Sequence, residues 1–116
     1  MLAGKYNIVC DQGSTFTRTL EIKTAEGAIF SLAGYTARME VRRTLDASSP
    51  IVSLTTANGR IFINGALGVI TLSLTAAETA ALTQSGVYDL EIVKTATGEV
   101  YKVVRGEFRL EKEVSR

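Results

Sequence analysis

The residues that could carry out chemistry are few, and the first candidates are two carboxylates, Asp89 and Glu91. They stand two positions apart in a run that alternates with Tyr88, Leu90 and Ile92, so both would lie on one face of a strand. A pair of carboxylates facing a sugar is what glycoside hydrolases use. The same spacing arises on any charged, solvated strand face, and we favour that interpretation.

The chain contains no histidine and a single cysteine, Cys10. The missing histidine removes the commonest general base, the usual catalytic triads and most zinc sites. Cys10 follows Ile8 and Val9, which favours a small buried side chain over a reactive thiol. Gly59 and Gly65 open no helix, so a phosphate-binding loop is not indicated. We therefore predict that the protein is not an enzyme, with no catalytic residues, no metal and no cofactor.

The charge pattern argues against a nucleic-acid partner, and the hydropathy pattern argues against a membrane span. The 116 residues carry 13 basic and 12 acidic side chains, giving a formal net charge of +1. The nearest approach to a basic patch is Arg38, Arg42 and Arg43, and Glu40 interrupts it. A nucleic-acid-binding surface concentrates its cations, because counterion release supplies its affinity. No apolar run reaches the length of about 18 residues that a membrane span needs.

Alternating hydrophobicity dominates the chain and predicts β-strands. In five segments the apolar residues share one face of a strand and polar residues occupy most of the other face. These apolar positions are Phe16, Leu20 and Ile22; Tyr35, Ala37, Met39 and Val41; Ile70, Leu72 and Leu74; Tyr88, Leu90 and Ile92; and Phe108 and Leu110. Successive side chains of a strand point to opposite faces, so each segment has one buried and one solvated face. That pattern is typical of antiparallel sheets.

Turn and capping signals separate the strands. Residues 24–28 and 95–99 each contain a glycine and are predicted to be hairpin tips. Thr75 and Glu78 have the spacing of a capping box and open an alanine-rich segment, so we expect a short helix near residues 75–84. The whole chain, residues 1–116, is predicted to be a single all-β domain. We expect an antiparallel β-sandwich or partly closed barrel with that helix as a crossover.

The order of these segments resembles that of small tail- or baseplate-associated structural proteins of tailed bacteriophages and prophages. The likeness extends to the N-terminal domain of baseplate upper proteins. It is carried by residues 6–16 (YNIVCDQGSTF), 31–42 (SLAGYTARMEVR), 68–75 (GVITLSLT) with the helix that follows, and 86–92 (GVYDLEI) leading into Gly106-Glu107-Phe108. The resemblance implies an immunoglobulin-like sandwich and a non-catalytic virion component of the tail, baseplate or neck.

Further expectations follow from that resemblance. The chain would be made in the bacterial host cytoplasm and reside in the virion, bound to other virion structural proteins as a symmetric homo-oligomer. A capsid decoration protein is an alternative. A carbohydrate-binding or cell-surface sandwich is another, although such modules present aromatic platforms and this chain has no tryptophan. The alternation does not assign four aromatic residues to the core or to the surface: Tyr6, Phe30, Phe62 and Tyr101.

The surface expected to contact other subunits is the polar segment that follows the second predicted strand. Loops on a rigid sandwich commonly carry binding function. We predict that Leu45 acts as an apolar anchor there and that Arg42 and Arg43 bind carboxylates. The two ends, residues 1–5 and 111–116, carry little that would hold them to the core, and we expect them to join the same contacts. An ordinary surface connection between strands would have the same sequence pattern.

Overall fold

A computed structural model describes residues 4–112, which form two facing β-sheets and one short helix. In chain order the strands are β1 (Gly4–Lys5), β2 (Ile8–Asp11), β3 (Phe16–Glu21), β4 (Tyr35–Arg42), β5 (Val52–Thr55), β6 (Ile61–Asn64), β7 (Val69–Leu74), β8 (Gly86–Lys94) and β9 (Val100–Glu111). The helix α1 (Ala76–Ala80) connects β7 to β8.

The strands divide between a large and a small sheet. The large sheet has the order β1-β9-β8-β4-β5, with β2 also paired to β9, and the small sheet has the order β3-β7-β6. All pairs are antiparallel except those of β1 and β2 with β9, which are parallel. The predicted antiparallel sandwich is therefore confirmed, with a parallel edge that the alternation did not indicate.

The core lies between the sheets and is built from the alternating positions. Ile70, Leu72 and Leu74 of β7 are buried, as are Leu90 and Ile92 of β8. In both strands the intervening residues are half-buried on the outer faces. The faces assigned from the sequence are therefore correct for these strands. Burial of this apolar surface is the main force that holds the two sheets together.

Arg18 departs from this division between apolar core and polar surface, as does the fully buried Thr79. Arg18 lies between Phe16 and Leu20 on the inner side of β3, where alternation would place an apolar residue. Its guanidinium donates a hydrogen bond from Nη2 to the carbonyl oxygen of Val9 at 3.0 Å, while its Nε is buried without a hydrogen-bond partner among the described residues. The guanidinium also lies 5.5 Å from the centre of the Phe16 ring. A long stem with a polar end allows an arginine to occupy such a position.

The helix begins with the predicted capping box. The backbone N–H of Thr75 donates to Glu78 Oε1 at 2.8 Å, and the backbone N–H of Glu78 donates to Thr75 Oγ1 at 3.1 Å. The predicted extent, 75–84, is too long, because α1 ends at Ala80. After the helix, the Leu82 N–H donates to the carbonyl oxygen of Thr79 and closes a turn, and the Leu82 side chain is buried. Tertiary packing thus overrides the helix propensity of the segment.

Both predicted hairpin tips are turns in the structure, and the described chain ends pair in the large sheet. Residues 95–99 connect the paired strands β8 and β9 as predicted, and residues 24–28 form the tip of a small antiparallel bridge between Lys23 and Ile29 within the β3–β4 connection. The expectation that the ends are held loosely is wrong for Gly4, Lys5 and Glu111, since all three pair in the large sheet. Residues 1–3 and 113–116 lie outside the described residues.

Candidate docking surface

The outer face of the large sheet carries charged residues that pair across strands. Asp89 Oδ2 lies 3.3 Å from Lys102 Nζ, and Glu91 Oε1 lies 2.8 Å from Arg38 Nε. Opposite charges on neighbouring strands stabilise a sheet modestly. This pairing agrees with the interpretation of Asp89 and Glu91 as residues of a solvated strand face.

Cys10 is fully buried in the core, as its sequence setting predicts. Burial, followed by the neighbouring carboxylate of Asp11, raises the pKa of its thiol to about 11, and Arg18 opposes the shift. The thiolate is the nucleophilic and metal-binding form, so this side chain is almost wholly in its unreactive form at neutral pH. In the described part of the chain, no three His, Cys, Asp or Glu side chains cluster closely enough to hold a metal ion.

A shallow concavity of about 970 Å³ lies on the outside of the large sheet, over β8, β9 and β1. We call it the concave face. Its charged residues are Lys5, Asp89, Lys102, Arg105 and Glu107. Its apolar residues include Val87 and Val100, and Leu45 stands at its rim. Val100 is exposed and Val87 is half-buried, so an aliphatic patch lies beside charged side chains. Protein–protein interfaces combine an apolar centre with a polar rim in this way.

The unpaired charges of the concave face result from the strand register. Lys5 of β1 lies directly beside Arg105 of β9, and Arg105 lies directly opposite Asp89 of β8. The Asp89 carboxylate is bonded to Lys102, however, so Arg105 receives no carboxylate. Within residues 4–112, Lys5, Arg105 and Glu107 form no ion pair.

The Leu45 loop, residues 43–51, leads from β4 to β5 and forms one rim of the concave face. The Ile51 N–H donates to the Val41 carbonyl oxygen at 2.6 Å and closes the base of the loop. The Ala47 N–H donates to the Thr44 carbonyl oxygen at 3.2 Å and closes a turn around Leu45 and Asp46. The Leu45 side chain is 84% exposed, more than any other large apolar side chain of the described residues.

Arg42 holds the loop in place rather than extending from it. It is the last residue of β4 and is half-buried. Its Nη1 donates to the Ala47 carbonyl oxygen at 2.7 Å, and its Nη2 donates to Glu40 Oε1 at 2.8 Å. The guanidinium is thus occupied within the domain. Arg43, by contrast, is exposed and forms no ion pair with any residue the structure describes.

The sequence did not indicate the concave face or the exposure of Phe62. Lys5 and Arg105 stand 100 positions apart, and only the parallel pairing of β1 with β9 brings them together. Phe62 lies on the outer face of the small sheet and is 69% exposed, whereas Phe30 and Tyr101 pack half-buried against the core. The alternation of β6, in which Ile61 is buried and Phe62 exposed, is the signal that could have placed Phe62 outside.

Comparison with known proteins agrees on the fold. The chain is similar to the solved structure of the NK cell receptor Nkp44, described as a triggering partner in natural cytotoxicity. The TM-score is 0.52 at 17% sequence identity, over 96% of this chain and 100% of the receptor chain. At that identity the likeness concerns the fold alone. The chain has an immunoglobulin-like β-sandwich fold.

Two further comparisons found no relative. No family model matches the sequence, and no curated protein matches it. Among the residues described, no helix is long and apolar enough to cross a membrane.

Proposed function

We propose that this chain is a non-catalytic docking domain of a tailed-phage particle, in its tail, baseplate or neck, and that it contacts its neighbours through the Leu45 loop and the concave face. The exposed Leu45 on a braced loop is the observation that supports this most strongly. We propose a tailed-phage particle because parts of the sequence resemble phage tail and baseplate proteins. These parts are residues 6–16, 31–42, 68–75 and 86–92.

Leu45 has the properties of an interface anchor. An exposed leucine in water gains about 1.5–3 kcal/mol when it is fully buried, so a partner surface that covers it would gain binding energy. Arg42 and the backbone hydrogen bonds already fix the loop, so little conformational entropy is lost on binding. The charges of the concave face at Lys5, Arg105 and Glu107 would orient the partner.

Co-purification with particles tests this function. Particles would be purified from the strain that carries the gene, with the chain supplied as wild type, as Leu45→Ser or as Leu67→Ser. Leu67 is a matched control, because it is a 54% exposed leucine in the β6–β7 turn, away from the concave face. We expect wild type and Leu67→Ser to be incorporated equally and Leu45→Ser to be depleted. Absence of the wild-type chain from particles would contradict the proposal.

Carbohydrate binding is the second candidate, and Phe62 favours it. Its exposed ring lies directly opposite Thr71 on a sheet face that also carries Asn64 and Ser73, so an aromatic surface stands beside hydroxyl and amide groups. A glycan array with wild type and Phe62→Ala tests this. Binding that the substitution abolishes would favour a sugar-binding module, and no binding by the wild type would remove this candidate.

A further inference from the structure

The Leu45 loop and the concave face are complementary to each other in charge and in hydrophobicity. The loop carries the aliphatic Leu45 next to Asp46, whose side chain is exposed and forms no ion pair among residues 4–112. The concave face offers aliphatic Val87 and Val100 together with two unpaired cations. One domain thus carries both halves of a contact.

Two of the three cations of the concave face, Lys5 and Arg105, form no ion pair within residues 4–112. Lys5 and Arg105 are in-register neighbours on adjacent strands, and like charges in that arrangement destabilise a sheet. A carboxylate supplied from outside the domain would remove this repulsion and form charge-assisted hydrogen bonds. Asp46 of a second copy of this chain is such a carboxylate.

A second charge pair with the reverse polarity joins the loop and the face, with the cation on the loop and the carboxylate on the face. Glu107 of the concave face forms no ion pair with any residue that the structure describes, and Arg43 of the Leu45 loop is an exposed cation. A net charge of +1 adds little long-range repulsion between copies. Loop and face therefore match at one aliphatic and two charged contacts.

We propose that this chain forms a two-fold symmetric dimer in which the Leu45 loop of each copy contacts the concave face of the other, with Asp46 of each copy binding Lys5 and Arg105 of its partner. A two-fold contact uses the same patch on both copies, so the loop–face contact occurs twice. The inference rests on the proposed docking role of the Leu45 loop and identifies a second copy as an occupant of that surface.

Sedimentation equilibrium of the purified chain tests the dimer, with two charge-reversed variants. Asp46→Lys places a lysine against Lys5 and Arg105, and the double variant Lys5→Glu, Arg105→Glu places glutamates against Asp46. We expect each variant alone to raise the dimer dissociation constant by about tenfold or more, since both contacts of the dimer then join like charges.

Mixing the two variants is the decisive arm. In a mixed dimer the lysine introduced by Asp46→Lys meets the two introduced glutamates at one contact. At the other contact the unchanged Asp46 of the double variant meets the unchanged Lys5 and Arg105, so both contacts regain opposite charges. We expect the equimolar mixture to dimerise about as well as the wild type. Recovery on mixing also shows that both variants are folded.

Matched controls carry charge reversals elsewhere. Glu26→Lys lies in the turn of residues 24–28, and Lys23→Glu lies beside that turn, where Lys23 bridges to Ile29; neither residue lines the concave face. We expect both to dimerise as the wild type does. A wild type that stays monomeric up to about 1 mM overturns the proposal. So does a dimer that the reversals leave unchanged, or a mixture that does not recover.

The outcome of the particle experiment is independent of the outcome of the dimerisation experiment. A chain that dimerises as described but is absent from particles would contradict the virion role and leave the dimer standing. A chain that is incorporated through Leu45 but never self-associates would do the reverse.

Discussion

The Arg42 guanidinium donates a hydrogen bond from Nη1 to the carbonyl oxygen of Ala47 at 2.7 Å, and this bond ties the Leu45 loop to the end of β4. Because the same guanidinium is held by Glu40 Oε1 at 2.8 Å, its position is fixed on the strand side as well. Arg42, predicted to bind a partner's carboxylate, thus positions the loop that carries Leu45.

Removing this brace is expected to loosen the loop without unfolding the domain. Arg42→Ala removes both hydrogen bonds of the guanidinium, so we expect faster amide hydrogen exchange at residues 43–49 and little change in the core strands. Arg43→Ala, next in the chain and without an ion pair in the described part, is the matched control, and at concentrations where the chain is monomeric it should leave the exchange rates unchanged. Equal exchange in Arg42→Ala and wild type would show that the loop is held by its backbone alone.

The core is tested at Leu72, a fully buried residue of β7. Leu72→Ala should lower the free energy of unfolding by about 2–5 kcal/mol, because it removes buried apolar surface and leaves a cavity. Thr71→Ala, on the outer face of the same strand, should change it by less than about 0.5 kcal/mol. Chemical denaturation measures both, and the reverse order would mean that the faces of β7 are assigned wrongly.

The N-cap of α1 gives a second stability prediction. Thr75→Ala removes the side-chain acceptor of the Glu78 N–H and should lower the free energy of unfolding by about 1 kcal/mol. Thr75→Ser retains the hydroxyl and should restore most of that loss. Thermal or chemical denaturation compares the three chains. A stability of Thr75→Ala equal to that of the serine variant would exclude a capping role.

The capping box also makes stability depend on pH. The hydrogen bond from the Thr75 backbone N–H, and after it the Arg60 side chain, lowers the pKa of Glu78 below its usual range. A carboxyl whose pKa is lower in the folded state stabilises the fold above its usual pKa. That contribution is lost as pH falls through the folded-state value.

Glu78→Gln should therefore flatten the acid limb of a plot of unfolding free energy against pH. Glu26→Gln, which removes an exposed turn carboxylate without an ion pair among the described residues, is the control and should leave the acid limb as in wild type. An identical acid limb for Glu78→Gln and wild type would mean that the carboxylate of Glu78 does not contribute to stability.

Local patterns predicted most of the fold, because strand faces and caps depend on residues close together in sequence. The alternation of Ile70, Leu72 and Leu74 placed β7, and the spacing of Thr75 and Glu78 located the start of α1. Arg18 interrupts an alternating face, and its inward position depends on the Val9 carbonyl and the Phe16 ring of the folded sandwich. No local pattern carries that information.

The candidate site was predicted only in part, for the same reason. Exposure of Leu45 follows from its place in a polar segment, and the structure confirms that exposure. The concave face depends on the parallel pairing of β1 with β9, which joins Lys5 to Arg105 across almost the whole chain. The exposed Phe62 was left undecided because the short β6 carries only one clear alternation.

A density map of the assembled particle tests the central claim most directly. If the chain is a docking domain that works through the Leu45 loop, Leu45 in each copy will be buried against a neighbouring chain, and residues 43–49 will lie at a protein–protein interface. Copies in which this loop and the concave face are open to solvent, while another surface forms the contacts, would contradict the account.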